Sequence, residues 1–291
     1  MREPGLRRRL AAAVARHGRL IRWGLAAIGL LWLGLIAFGI LPYDLYPNDS
    51  HAYWAVHPAD PYRGAALGAP DAFFYAPVVA QLLAPLTALP FQVFRLGLAG
   101  VDLLGLAGSG LLYTLVLPGV MEDIVRGNIH ILMALAIVAG FRFPGTWSAV
   151  LLTKVTPAIG LAWFAVRREW GALLQVTLVT GLIVAVSALL GGVQLWVDWV
   201  RLLLTSSENP RTYAYLFGIA PPPLVIRMPM ALAVVAWGAL TDRRWSLPVA
   251  AFLALPVIWP SGFAVLLAVP PLWLADHRRP IEHVRPASEA A

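Results

Sequence analysis

The apolar positions of this chain come in long, nearly unbroken runs rather than in alternating stripes. They lie at about 23–42, 74–90, 96–117, 128–141, 145–166, 170–190, 222–241 and 247–274. A helix that crosses the hydrocarbon core of a bilayer needs about 20 apolar residues. The pattern therefore predicts an all-α fold, a polytopic bundle of membrane helices joined by polar loops. Two runs are interrupted at the middle, one by Lys154-Val155-Thr156-Pro157 and one by Trp259-Pro260-Ser261-Gly262. Proline lacks an N–H and clashes with the preceding turn, so it breaks a helix. Read as hairpins, the two runs raise the count of membrane segments from eight to ten. The rival is one kinked helix at each place.

Composition strengthens the membrane reading. Hydrophobic residues make up 59% of the 291 and charged residues 13%, against about 25% charged in a soluble domain. Lipid solvates apolar side chains directly, so no soluble core is needed. The chain has no cysteine, which excludes disulfides, thiol catalysis and thiolate metal sites.

The net charge of +7 is informative by position. Arg2, Arg7, Arg8, Arg9, Arg16, Arg19 and Arg22 precede the first apolar run, and Arg95, Arg142, Arg167, Arg168, Arg243, Arg244, Arg278, Arg279 and Arg285 fall at run ends or in the tail. Basic residues at the ends of apolar segments mark the cytoplasmic side, so no nucleic-acid partner is expected. With both termini inside, Asp44, Asp49, Asp60, Asp71, Glu122, Asp123, Asp198 and Glu208 all fall in outer loops. Asp102 stands alone within an apolar run. Any chemistry is expected on the outer face, in the loops at about 43–73 and 191–221.

The first of these loops carries Asp49 and Tyr53, then Asp60-Pro61-Tyr62, Tyr75-Ala76-Pro77, Pro85 and Leu89-Pro90. Downstream come Gly127-Asn128-Ile129-His130, Lys154-Val155-Thr156-Pro157, Arg167-Arg168-Glu169-Trp170 and Leu255-Pro256-Val257-Ile258-Trp259. In order and spacing, these motifs resemble the polytopic glycosyltransferases of the GT-C fold, and within them glycosyltransferase family 87, over about 23–275. There are departures: Asn128 and His130 stand where the family has Gln and Asn, and Ala76 replaces one Pro. Pro256 lacks the preceding Ser, and the His residues often found after the late Trp are absent.

The resemblance implies an enzyme that takes a sugar, often mannose, from a polyprenyl monophosphate donor. It implies inverting transfer to a glycolipid or glycan acceptor on the outer face of the cell membrane, with Asp49 as general base. The chain then divides into a basic cytoplasmic segment 1–22, a membrane catalytic domain 23–275 and a cytoplasmic tail 276–291.

The residues support that chemistry in their own terms. Glycosyl transfer needs a base for the acceptor hydroxyl and a cation for the departing phosphate. Asp49 follows a helix end at the bilayer surface. Lys154, the one lysine of the chain, sits at a helix break inside an apolar run, where an ammonium is costly unless used. Arg126 is a second phosphate candidate, and Tyr53, Tyr62, Tyr75, Asn128, His130 and Arg211 are substrate-binding candidates. Blander readings stand beside these. For Asp49 the bland reading is a solvated loop acid or helix cap, with Asp44 its rival. Lys154 can snorkel, interfacial belts explain aromatics, and a lone histidine is more often structural. No compact ligand cluster is visible, so neither a metal nor another cofactor is expected. The competing classes are a transporter or lipid flippase, which also uses broken helices but should show two related halves, and a non-catalytic family member.

Overall fold

The computed structural model describes residues 4–39, 49–66, 69–206 and 221–278. Among these, all regular structure is helical. The first helix, α1 (Pro4–Ala37), has 34 residues and so extends about 51 Å. That exceeds the hydrocarbon core of about 30 Å, and its apolar stretch is 17–37. Next come α2 (Asp49–Trp54), α3 (Pro77–Leu83) and α4 (Phe91–Gly108). Then α5 (Pro118–Arg126) and α6 (His130–Ala139) meet at a bend of 109°. They are followed by α7 (Trp147–Thr153), α8 (Ala162–Val166), α9 (Trp170–Gly191), α10 (Val193–Ser206), α11 (Leu224–Leu240), α12 (Ser246–Leu253) and α13 (Val269–Arg278).

Only three helices among the described residues are long and apolar enough to cross a membrane alone: the 17–37 part of α1, α4 and α9. The bent α5–α6 pair makes a fourth if taken as one span. Proline and glycine cut the other apolar runs into short pieces, so sequence runs and single long helices do not correspond one to one.

Both interrupted runs double back. In a continuous helix Trp147 and Phe164 would lie about 25 Å apart. Instead their ring centroids are 6.4 Å apart, and Gly160 lies against the Trp147 ring, where a Cβ would not fit. The turn falls at Lys154-Val155, between α7 and a 3-10 stretch at Thr156–Leu161. In the second run, Phe252 and Phe263 would be about 16 Å apart in a helix, yet their rings meet at 4.8 Å.

The second turn is held by Arg227, which is fully buried. Its Nε donates to Pro222 O at 2.7 Å, Nη1 to Leu253 O and Leu255 O at 2.7 Å each, and Nη2 to Pro256 O at 3.2 Å. A helix that stops short leaves its last carbonyls without donors. One guanidinium from α11 supplies them.

The run at 74–90 departs from its sequence reading as a crossing. Pro77, Pro85 and Pro90 limit it to the seven residues of α3 and a 3-10 turn at Ala84–Leu86. Its start is tied to α7 by Ala76 N–H donating to Leu152 O at 2.9 Å. Its end is tied to α2 by Trp54 Nε1–H donating to Leu89 O at 2.7 Å. The start of α4 therefore lies beside α2, with the Phe91 ring 5.0 Å from His51. Arg95, expected among the residues opposite Asp49, stands about one turn from that contact, at the Asp49 end of the bundle. The other end gathers Arg142, Arg167 and Arg244 with Phe141, Phe143, Trp163 and Asp242.

The main core lies between these ends, with Trp147, Trp163, Leu247 and Ile137 at its centre. Large apolar side chains, Leu178, Leu182, Leu189 and Trp170 among them, are exposed along α9. That is the inverse of a soluble fold, and lipid is the solvent that suits it.

Candidate active site

The site forms where three breaks converge: the end of the first long loop, the α5–α6 bend and the α7 turn. Asp49 begins α2 and is part-buried. Its Oδ2 accepts from Asn128 Nδ2 at 2.6 Å. The Asn128 amide has one workable orientation there, because its Oδ1 accepts the Ile129 N–H at 2.9 Å. Asn128 thus aims the Asp49 carboxylate.

Gly127 makes this approach possible. It ends α5 in the left-handed conformation at φ 66°. A Cβ there would fall 2.5 Å from Ser50 Cβ. Glycine pays no steric penalty at positive φ, and only glycine lets α2 come this close.

Asp123 organises the same turn from beneath. Its carboxylate, fully buried, accepts from His130 Nδ1 at 2.8 Å and from Ile131 N–H at 2.9 Å. Its backbone oxygen accepts from Asn128 N–H at 2.8 Å. With Nδ1 donating, the His130 Nε2 is the unprotonated nitrogen, and it is buried without a hydrogen-bond partner. The sequence pattern places Asp123 among the outer-loop acids, whereas here it is fully buried. The available signal was Pro118 and Gly127 bracketing a nine-residue helix, with helical spacing turning Asp123 inward among Val120, Met121 and Ile124.

Lys154 follows α7 in extended conformation. Its charge acts on Asp49, Asp123 and His130. Among the described residues no carboxylate lies within ion-pair distance of its ammonium. Burial raises the Asp49 carboxyl above its ordinary 3.8, opposed first by Lys154 and then by His130. Because the folded value lies above the unfolded one, ionising Asp49 costs stability. That cost appears as pH rises from the unfolded value through the folded one.

The other candidates take different places. Arg126 is engaged by Glu122 at 2.9 Å, though its charge is felt at Asp49. Tyr53 and Tyr75 are buried, with hydroxyls 2.6 Å apart and rings edge to face at 5.2 Å. Buried against each other, they offer no open stacking platform, and burial first, then mutual and Asp49 charge, keeps Tyr53 protonated. Tyr62 commits its hydroxyl proton to Tyr75 O at 3.0 Å. Asp102 is buried on α4 with Oδ1 unpartnered, within electrostatic reach of Asp123. Arg211, like Asp44, Glu208, Asn209 and Tyr213, lies outside the described residues.

A partly buried carboxylate, an ammonium with no carboxylate at ion-pair distance among the described residues and a buried histidine, in mutual electrostatic reach, suit a reaction that takes a proton and releases an anion. No curated protein and no solved structure matches the chain. The family model for Glycosyltransferase family 87 matches residues 73–282. That range takes in Asp123, Asn128, His130 and Lys154, while Asp49 precedes it. The match covers well over half of the sequence, and the chain belongs to glycosyltransferase family 87.

Proposed function

We propose that this membrane glycosyltransferase moves a hexose, mannose, from a polyprenyl-phosphate sugar to a glycolipid or glycan acceptor. The reaction takes place on the extracytoplasmic face. The observation that carries the reading is Asp49, aimed by Asn128, in electrostatic reach of a Lys154 ammonium that has no carboxylate at ion-pair distance among the described residues. The acceptor hydroxyl oxygen attacks the anomeric carbon, the bond from that carbon to the phosphate oxygen breaks, and configuration inverts. Asp49 takes the hydroxyl proton. The electron pair leaves on the phosphate, whose growing charge Lys154 offsets. An apolar surround strengthens that attraction relative to water. The arginine-rich end opposite the site supports a cytoplasmic placement of that end by the positive-inside rule.

The test is transfer from a radiolabelled polyprenyl-phosphate mannose in membranes, with Asp49→Asn alongside. Wild type should convert donor into an acceptor-linked product, with an acid limb above the usual carboxylate range. Asp49→Asn should lose about a hundred- to ten-thousandfold in rate while remaining at least as stable at neutral pH, since it sheds a buried charge. A fully active Asp49→Asn removes the base assignment. Failure of wild type with every sugar lipid tried points to a non-catalytic member.

A further inference from the structure

The helix α10 has three faces where a helix on a soluble protein has two. At about 100° per residue, Leu195, Trp199, Leu202 and Leu203 form one face, and this face is packed inward. Leu195 and Trp199 are buried, and Trp199 Nε1–H donates to Phe74 O at 2.9 Å. Trp199 also packs with Ala76 and Leu152, two residues before Lys154. A second face carries Gln194, Asp198, Arg201 and Thr205. It is polar and laced together, with Gln194 Nε2 donating to Asp198 Oδ1 at 2.9 Å and Arg201 3.6 Å from the same oxygen. The third face carries Val193, Val197, Val200 and Leu204. These are 67%, 44%, 49% and 65% exposed, and no polar residue interrupts them.

Water cannot suit the third face and lipid cannot suit the second. An unbroken exposed apolar stripe is unfavourable in water, while a charged stripe facing hydrocarbon is costly. Both are satisfied together only at the membrane–water boundary. Continuity points the same way: α10 follows the apolar span α9 after one residue, Gly192, at φ 88°.

We infer that α10 is an interfacial helix whose Val193–Val197–Val200–Leu204 stripe is seated in the bilayer and whose Gln194–Asp198–Arg201–Thr205 stripe faces water. The partner is the lipid surface itself. Through Trp199, this helix fixes the level of Phe74–Ala76 and Leu152, and so holds the turn bearing Lys154 at headgroup depth. The contact with lipid stands apart from the transfer chemistry; only its consequence for a lipid-borne phosphate rests on the proposed function.

The chain has no cysteine, so single-cysteine variants can be spin-labelled at each position from 193 to 205. The full-length protein is placed in phosphatidylcholine–phosphatidylglycerol nanodiscs. Collision of the label with oxygen, which partitions into lipid, is compared with collision with a water-soluble nickel chelate. The oxygen-to-nickel ratio should oscillate with a period of about 3.6 residues. It should peak at V193C, V197C, V200C and L204C and fall to its minimum at Q194C, R201C and T205C. L195C should be shielded from both agents. Equal nickel access on the two exposed stripes, or shielding of the Val193–Leu204 stripe from both agents, overturns the proposal. These readouts need no activity, so they separate its failure from failure of the proposed reaction.

Discussion

Replacing Asp123 tests whether the α5–α6 turn is organised from beneath. Its carboxylate accepts two hydrogen bonds, from His130 Nδ1 and from Ile131 N–H, and both Asp123 and His130 are buried. In Asp123→Ala both donors lose their acceptor. Each buried donor left unsatisfied costs about 1–3 kcal/mol, so the variant should lose about 2–6 kcal/mol. Asp123→Asn divides that loss. An asparagine has one carbonyl oxygen and one NH2 group. The Ile131 N–H is a fixed donor and must take the oxygen. The NH2 then faces His130, which can comply by moving its proton from Nδ1 to Nε2. Asp123→Asn should therefore recover most of the stability but present a donor to the site where wild type presents an acceptor. Thermal unfolding in nanodiscs reads the first effect, and transfer from a radiolabelled lipid-linked sugar reads the second. The expected order of stability is wild type, then Asn, then Ala, with both variants reduced at least tenfold in turnover. An Asp123→Ala protein within about 0.5 kcal/mol of wild type, with unchanged turnover, refutes the reasoning.

Gly127→Ala should destabilise by about 1–2 kcal/mol from left-handed backbone strain alone and should also push Ser50, and with it Asp49, out of place. Adding Ser50→Gly to that variant should restore part of the activity, since it removes the atom the new Cβ meets; transfer assays on the single and double variants check this. Arg227→Leu leaves the carbonyls of Pro222, Leu253, Leu255 and Pro256 without their donor and should cost at least about 3 kcal/mol. Arg227→Lys should recover only part, because a single ammonium cannot fork as a guanidinium does; unfolding midpoints of the two variants provide the comparison.

The membrane character of this chain was legible in its sequence because hydrophobicity is additive along a run and needs no partner. The breaks at Lys154-Val155-Thr156-Pro157 and beyond Leu255 were legible for a similar reason: proline acts on its own helix. So was the order of motifs that places the chain in its family. The meaning of the prolines at 77, 85 and 90 was not. Their cutting the run was predictable, but that its two ends return to α7 and α2 depends on contacts with Leu152 and Trp54. Hence Arg95, expected opposite Asp49, stands about one turn from the Phe91–His51 contact. The roles of Asp123 and Arg227 were equally hidden. Each is an ordinary charged residue in sequence, and what makes it structural is a partner brought near by folding, across the α5–α6 bend for one and from the α12 turn for the other. Sequence by itself determined which segments prefer lipid and where helices must stop. Tertiary structure alone decided which of those stops meet, because a helix end leaves polar groups that must be satisfied but does not specify the side chain that satisfies them.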